Sequence, residues 1–248
     1  MRFCIKSFIT FLYSFYSIRQ EKEGLRALKY HSITKNKENK DLWNLDVNSF
    51  SDHLYYINEK RLKVYRTSEL INSIPGQGLV ITFDDGFRNN FEIAAPLLFE
   101  LNMPFSIFVI TNFVSQSKKA YVDEVMLKEF SEHPLVTIGS HSCSHARLTN
   151  CSLHDVKSEI YDSKHYLENL LGKEINTFSY PHGLYNETVR QEVINAGYKL
   201  SFTSHYDINL VHKDKYTLNT TELWNTDNLS NFKKKIKGDW DWLKYRNL

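Results

Sequence analysis

Two neighbouring carboxylates stand directly after an apolar run in the first third of the chain. The run Gly78–Phe83 is rich in β-branched residues and predicts a buried strand, and Asp84, Asp85 and Gly86 follow it at once. Buried carboxylates without a partner are costly, so the pair needs a cation or a proton. Because neighbouring side chains diverge at a strand end, one aspartate can bind a metal while the other handles a proton. An ordinary surface Asp-Asp-Gly turn is the alternative.

Two histidines four residues apart, His141 and His145, follow the short apolar segment Val136–Ile138. At this spacing both imidazoles lie on one face of a helical turn and can share one ion. The pair alone is weak evidence, because the chain contains ten histidines. Together with Asp85 it forms a His-His-Asp set that leaves metal positions open for water and substrate, as in catalytic sites. We expect one divalent ion, zinc first, with nickel, cobalt and iron compatible with the same ligands.

Two further segments place hydrolytic residue types at strand ends. His31 closes the run Leu25–Tyr30, where it could act as an acid, although a lone histidine is more often structural. Pro181 and His182 follow the run Thr177–Tyr180 in a Pro-x-Gly turn. Such a turn can direct a backbone N–H at a developing oxyanion, and it can equally be an ordinary turn.

The elements that must position these residues alternate between short apolar runs and longer amphipathic segments. The predicted strands are Leu25–Tyr30, Gly78–Phe83, Phe105–Ile110, Val136–Ile138, Thr177–Tyr180 and Lys199–Thr203. The predicted helices are Ser49–Glu59, Asn89–Leu101, Asp123–Glu132, Leu153–Leu171, Asn186–Ala196 and Leu229–Lys237. This alternation predicts an α/β fold with a mainly parallel sheet, either open or closed into a barrel. In both forms the chemistry gathers at the carboxyl ends of the strands.

Composition is that of an ordinary globular chain. Its 248 residues are 42 % hydrophobic and 24 % charged, which excludes disorder and collagen-like structure. The net charge of +2 is too balanced for nucleic acid to be the main partner. Three cysteines without a spacing pattern favour a reducing compartment or thiols that are simply buried.

We treat residues 1–24 as an N-terminal helix ahead of one catalytic domain over residues 25–248. The uncharged run Ser7–Ile18 is shorter than the roughly 20 apolar residues of a membrane-spanning helix, and no small-x-small cleavage site follows it. A helix packed on the domain, peripheral membrane contact through residues 1–20 and an uncleaved signal all stay open. A cytoplasmic or peripheral membrane location is favoured, and an extracytoplasmic one stays open.

Taken in chain order, the segments resemble the polysaccharide deacetylase family, also called the NodB-homology family or carbohydrate esterase family four. Its three motifs match Thr82 to Gly86, His141 to His145 and Tyr180 to Gly183, and the resemblance runs from about Leu25 to about Thr220. Tyr30-His31 and the sequence Phe-x-Tyr-Pro-x-Gly from Phe178 look like the branch that includes biofilm poly-N-acetylglucosamine deacetylases. The resemblance implies a distorted (β/α) barrel, often of seven parallel strands, circularly permuted so that the Tyr-His strand comes first.

The resemblance also implies a reaction, the removal of an N-acetyl group from a sugar of a polysaccharide or glycan precursor, giving acetate and a free amine. The implied roles are metal ligands at Asp85, His141 and His145, a general base at Asp84, a general acid at His31, an oxyanion-binding turn at Pro181 and His182, and supporting positions at Ser142, Tyr30 and Tyr180.

Several residues depart from the family pattern. Unpermuted members have an arginine that orients the base where this chain has Ser179, and a tyrosine is usual where it has His182. His212 is a poor match to the C-terminal Leu-x-His motif, and the Asp-Trp pairs of residues 239–242 are more typical of packing. A catalytically decayed carbohydrate-binding protein, an O-acetyl esterase and another carbon-nitrogen amidohydrolase are therefore alternatives. The segments Thr111–Tyr121 and Ser204–Tyr216 are expected to form the rim.

Overall fold

The computed structural model of the chain describes residue 10, residues 23–35 and residues 41–245. The strands of this part are β1 (Leu25–Tyr30), β2 (Ser32–Thr34), β3 (Asn44–Asp46), β4 (Gly78–Phe83), β5 (Phe105–Val109), β6 (Val136–Ser140), β7 (Thr177–Ser179), β8 (Leu200–Phe202) and β9 (Thr220–Glu222). Its α-helices are α1 (Val47–Glu59), α2 (Ala95–Glu100), α3 (Thr111–Ser115), α4 (Glu124–Ser131), α5 (Leu153–Lys157), α6 (Ser163–Leu171), α7 (Glu187–Asn195) and α8 (Leu229–Lys237).

Seven parallel strands form the main sheet in the order β8-β7-β6-β5-β4-β1-β9. Its two outer strands meet through the residues beside them. Thr203 N–H donates to the carbonyl of Leu218 at 2.8 Å, and Thr220 Oγ1 donates to the carbonyl of Thr203 at 2.7 Å. The sheet is therefore a nearly closed barrel, and the predicted distorted barrel of seven parallel strands is confirmed.

Strand β1, the first in the chain, lies between β4 and β9 and is buried along its whole length. Parallel strands covered on both faces are normally continuous apolar runs. β1 nevertheless contains two buried cations, and each is matched by a carboxylate. Arg26 forms a bidentate ion pair with Asp241, in which Nη1 donates to Oδ1 at 2.8 Å and Nη2 donates to Oδ2 at 3.0 Å. Lys29 forms an ion pair with Asp84. The first pair ties the C-terminal Asp-Trp segment to the barrel, in keeping with a packing role.

The helices follow the predicted positions with two local irregularities. α1 begins two residues earlier than predicted, at Val47, because Asp46 accepts a hydrogen bond from Asn48 N–H and caps it. The predicted helix 89–101 opens with a π-turn, Asn90–Ala94, and Pro96 falls in the first turn of α2. The predicted helix 153–171 is interrupted between α5 and α6 by a second π-turn, Ser158–Asp162.

The predicted N-terminal helix lies outside the described residues except at Thr10. Trp242 Nε1 donates to Thr10 Oγ1 at 3.1 Å, and Thr10 is buried. Among the helices that the structure describes, none combines the length and the apolar character needed to cross a membrane. Peripheral membrane contact through residues 1–20 stays a prediction.

Candidate active site

The carboxyl ends of the strands meet at one cavity of about 890 Å³. His31 follows β1, Asp84 and Asp85 follow β4, and His141 follows β6. Because parallel strands end at the same rim, residues distant in sequence converge there. The cavity lining includes His31, Asp84, Asp85, His141, His145 and His182.

A sharp turn after β4 separates the two aspartates. Asp85 and Gly86 both have positive φ values, 71° and 72°, so the chain reverses directly after the strand. A Cβ on Gly86 would lie 2.8 Å from Val109 Cγ1, so glycine is needed for close packing as well as for the turn. Asp84 points into the buried interior, 2 % exposed, while Asp85 is only partly covered. The two carboxylates thus lie in different environments.

Asp84 is held by a cation and a hydroxyl. Its Oδ2 lies 2.9 Å from Lys29 Nζ and accepts a 3.0 Å hydrogen bond from Ser179 Oγ. Burial acts to raise the pKa of Asp84, but Lys29 and the neighbouring His141 and His31 outweigh it and keep that pKa well below its ordinary value. Asp84 is therefore ionised throughout the neutral pH range.

Asp85 has no such cation of its own. Burial, and then the negative charge of Asp84, raise the pKa of Asp85 to about 7, although Lys29 opposes the shift. Two adjacent carboxylates with one ammonium between them carry an uncompensated negative charge, which a bound cation would neutralise.

Both histidines direct their Nε2 atoms toward Asp85. His141 Nδ1 lies 2.7 Å from the carbonyl oxygen of Ser179, which can only accept, so Nδ1 carries the proton and Nε2 has a free lone pair. His141 Nε2 and His145 Nε2 each lie 3.6 Å from Asp85 Oδ1. Two ligands at 2.0–2.1 Å from a tetrahedral ion are about 3.4 Å apart. The set therefore fits a zinc-like ion.

The loop from His141 to His145 is fastened by its own serines. Ser140 Oγ accepts from Ser142 N–H at 3.2 Å, and Ser142 Oγ accepts from His145 N–H at 3.1 Å. Ser142 thus braces the loop, as expected. Burial raises the pKa of the Cys143 thiol to about 11, so at neutral pH it is not a thiolate that would compete for metal.

His31 also lines the cavity and packs against the indole of Trp43 at a ring distance of 4.4 Å. Its Nδ1 is buried and has no hydrogen-bond partner among the described residues. Burial lowers the pKa of His31 to about 4, with Asp84 acting in the opposite direction and Lys29 in the same one. The ring of the free protein is therefore neutral at pH 7.

The turn after β7 brings His182 to the cavity. His182 has a φ of 58° and its ring lies 4.4 Å from that of His145. Pro181 is buried behind it, and Gly183 packs so closely on Ser204 that a Cβ would clash. The turn is thus fixed from both sides.

Neither predicted tyrosine side chain lines the cavity. Tyr30 O–H lies 3.3 Å from His53 Nδ1, while the Tyr30 carbonyl accepts from Asp84 N–H at 3.0 Å. Tyr180 O–H donates to the carbonyl of Tyr216 at 3.0 Å. Both support the site only through the backbone and the core.

Several lining residues were not anticipated from the sequence, namely Lys29, Trp43, Glu222 and Trp224. The one available signal was Lys29, a charged residue inside an apolar run. His212 lies in a separate cavity of about 340 Å³ with Asp207 and Lys213. Of the two predicted rim segments, Ser204–Tyr216 contributes its first three residues to the cavity lining. Thr111–Tyr121 contributes none, but it lies beside the site, because the N–H groups of Thr111 and Asn112 donate to the carbonyls of Ser142 and Cys143 at 3.2 and 2.9 Å.

Comparisons with known proteins agree with this geometry. The family model for polysaccharide deacetylase matches residues 72–201. The chain is 28 % identical over 194 residues to YxkH of Bacillus subtilis, which is named as a polysaccharide deacetylase. The match covers 75 % of this chain and 67 % of YxkH. It is 22 % identical over 216 residues to a poly-β-1,6-N-acetyl-D-glucosamine N-deacetylase of Staphylococcus aureus. This match covers 75 % of this chain and 74 % of the relative.

Solved structures share the fold. The Streptococcus pyogenes deacetylase PplD, in complex with acetate, superposes with a TM-score of 0.78 at 22 % identity, over 86 % of this chain and 98 % of PplD. IcaB from Ammonifex degensii superposes with a TM-score of 0.75 at 20 % identity, over 87 % of this chain and 97 % of IcaB. At these identities the likeness concerns the fold, and it confirms the NodB-homology barrel.

Proposed function

The chain belongs to the polysaccharide deacetylase family, and we propose that it removes the N-acetyl group from an amino sugar of a polysaccharide in a metal-dependent hydrolysis. One observation carries the proposal. Asp85, His141 and His145 direct three ligand atoms within 4.8 Å of one another, and an ionised Asp84 lies beside them. A decayed sugar-binding protein has no need for a complete ligand set with a base next to it.

These three residues would hold the ion, and their ligand types fit zinc. Bound there, a zinc-like ion supplies Lewis acidity that polarises the acetyl carbonyl and lowers the pKa of a water toward about 7. The backbone N–H of His182, on the fixed turn, is available to donate to the developing oxyanion.

Asp84 is the proposed base. Its carboxylate accepts a proton from the attacking water, and Lys29 and Ser179 hold it in position from two sides. Ser179 occupies the place of the family's arginine, and the cation comes instead from Lys29 on β1. The base thus keeps a positively charged partner, which counts against the decayed alternative.

His31 is the proposed acid that protonates the departing sugar nitrogen. Its pKa of about 4 in the free protein leaves the ring neutral at pH 7. Negative charge that develops on the tetrahedral oxygen favours the imidazolium, as Asp84 already does. The ring then takes up a proton from solvent water and donates it to the departing nitrogen, while Asp84 keeps the proton of the attacking water and later returns it to solvent.

The relatives suggest the first substrate to try. The S. aureus relative is named for poly-β-1,6-N-acetyl-D-glucosamine, and the cavity lining includes the partly exposed Trp43, whose ring can contact a sugar face. We propose an N-acetylglucosamine polymer as the substrate class.

The test is acetate release and amine formation from N-acetylglucosamine oligomers, by protein that has been stripped of metal and reloaded with zinc. We expect both products in equal amounts, and none with the chelated protein or with Asp84→Asn. Acetate without new amine, from O-acetylated sugars only, would favour the esterase. Sugar binding without acetate release from any acetylated substrate would favour the decayed protein.

A further inference from the structure

The π-turn Ser158–Asp162 is the irregular part of the longest helical region, and it faces the loop that carries the two histidines. A π-turn inserts one residue and changes the direction of the side chains that follow, and such turns are frequent at functional sites. Glu159, the second residue of the turn, belongs to none of the motifs of the family resemblance. Its partners explain the irregularity.

Glu159 binds the backbone between the histidines. Its Oε2 accepts hydrogen bonds from Cys143 N–H and from Ser144 N–H, both at 2.9 Å, and its Oε1 accepts one from Ser144 Oγ at 2.5 Å. Two successive N–H groups directed at one carboxylate form an anion-binding turn. Hydrogen bonds to an ionised acceptor are roughly twice as strong as neutral ones.

The loop needs such support because its backbone is strained. Ser142 and His145 have φ values of 65° and 64°, in the left-handed region that non-glycine residues rarely adopt. Such conformations persist only where the surroundings fix them. Ser144 donates to Glu159 through both its N–H and its Oγ, and it directly precedes His145. The contact therefore fixes the backbone on the N-terminal side of His145.

We propose that Glu159 is a positioning residue of the metal site. It holds the His141–His145 loop so that His145 Nε2 faces Asp85 before any ion binds. The inference rests on the proposed function, since it assumes that these residues bind metal. It adds that a carboxylate on a neighbouring helix, acting through backbone N–H groups, determines metal affinity.

The test is calorimetric titration of zinc into metal-free protein. We expect Glu159→Gln to weaken zinc binding by about 10- to 100-fold, the range typical for loss of an outer partner of a metal ligand. Glu168→Gln is the matched control, because it removes the same charge from α6, where Glu168 contacts Lys164 and Ile175. It should leave zinc affinity within about twofold of the wild type. The visible spectrum of the cobalt-loaded Glu159→Gln protein should also change, because the ligand geometry relaxes.

A second variant covers failure of Glu159→Gln to fold. Ser144→Ala removes one of the three hydrogen bonds on the exposed surface, and we expect a smaller loss of affinity that disappears in the Glu159→Gln background. Unchanged zinc affinity and cobalt spectrum in both variants, with a metal-binding wild type, would overturn the role of Glu159 and leave the proposed function standing. A folded wild type that binds neither ion would refute the proposed function itself.

Discussion

Replacement of Lys29 by methionine tests the electrostatic arrangement around the base most directly. Lys29 and Asp84 have side chains that are 2 % and 3 % exposed, with Nζ and Oδ2 separated by 2.9 Å. At an effective dielectric constant of about 20 the attraction is about 6 kcal/mol, before the cost of desolvation. Loss of one partner of a buried pair typically costs about 3–5 kcal/mol. Asp84 can escape by protonation, which at pH 7 costs about 4 kcal/mol from its ordinary pKa and so limits the loss.

We therefore expect Lys29→Met to lower the free energy of unfolding by about 3–4 kcal/mol at pH 7. The penalty should shrink by up to about 1.4 kcal/mol per pH unit toward pH 5, because the buried carboxyl of the variant is then more easily protonated. Urea unfolding of metal-free protein, followed by circular dichroism, measures both quantities. Lys244→Met is the control, since its 2.8 Å pair with Asp207 is 18 % and 23 % exposed and should be worth under about 1 kcal/mol.

The double variant Lys29→Met with Asp84→Asn completes a cycle. If the two residues form the pair described here, the double variant recovers stability, and the coupling exceeds about 2 kcal/mol. If the stability lost in the double variant equals the sum of the two single losses within about 0.5 kcal/mol, the two residues are independent and the reasoning is refuted. We would then have to find another source for the low pKa of Asp84.

Three further predictions concern the site and its support. Asp84→Asn should keep zinc binding and lose turnover, whereas His145→Ala should lose both, as measured by calorimetry and acetate release; normal turnover by Asp84→Asn would exclude it as the base. His53 has a folded pKa of about 3 against an ordinary 6.5, so the unfolded chain binds its proton first as the pH falls. The contribution of neutral His53 to the free energy of unfolding is therefore fully present above about pH 6.5, and it falls by about 1.4 kcal/mol per pH unit toward pH 3. In His53→Gln, the free energy of unfolding measured with urea should depend less on pH between these values. Gly183→Ala should cost about 1–3 kcal/mol and reduce kcat, because its φ of 69° and its contact with Ser204 exclude a Cβ; a melting curve like that of the wild type would contradict this.

The sequence was informative where local pattern and fold agree. The residues that follow apolar runs converge because parallel strands end at one rim, so Asp85, His141 and His145 could be grouped without coordinates. β9, Thr220–Glu222, was not predicted, because three residues without an apolar run give no periodic signal. Its place in the sheet depends on pairing with β1, which is distant in sequence.

Lys29 and Glu159 show a second limit. A lysine in an apolar strand resembles an interruption of the pattern until its partner Asp84 is known, and that partner follows a different strand, β4. Glu159 resembles any exposed helical glutamate. Its role depends on a π-turn, which arises from the fit between a helix and a loop and leaves no periodic trace in the sequence.

The place of β1 in the sheet has a consequence for how the enzyme is assembled. β1 must pair with β9, and Arg26 must reach Thr221, 195 residues further along the chain. Contacts of such long sequence separation form slowly, because the chain entropy lost in closing the loop is not offset until they are made. On the ribosome, β1 can pair with β4 early, whereas the wall that contains Glu222 and Trp224 stays open until β9 has been made. The carboxylates and histidines of the middle strands can already approach each other before then. Under the proposed function, the expected intermediate has its candidate metal ligands together before the wall at β9 is complete.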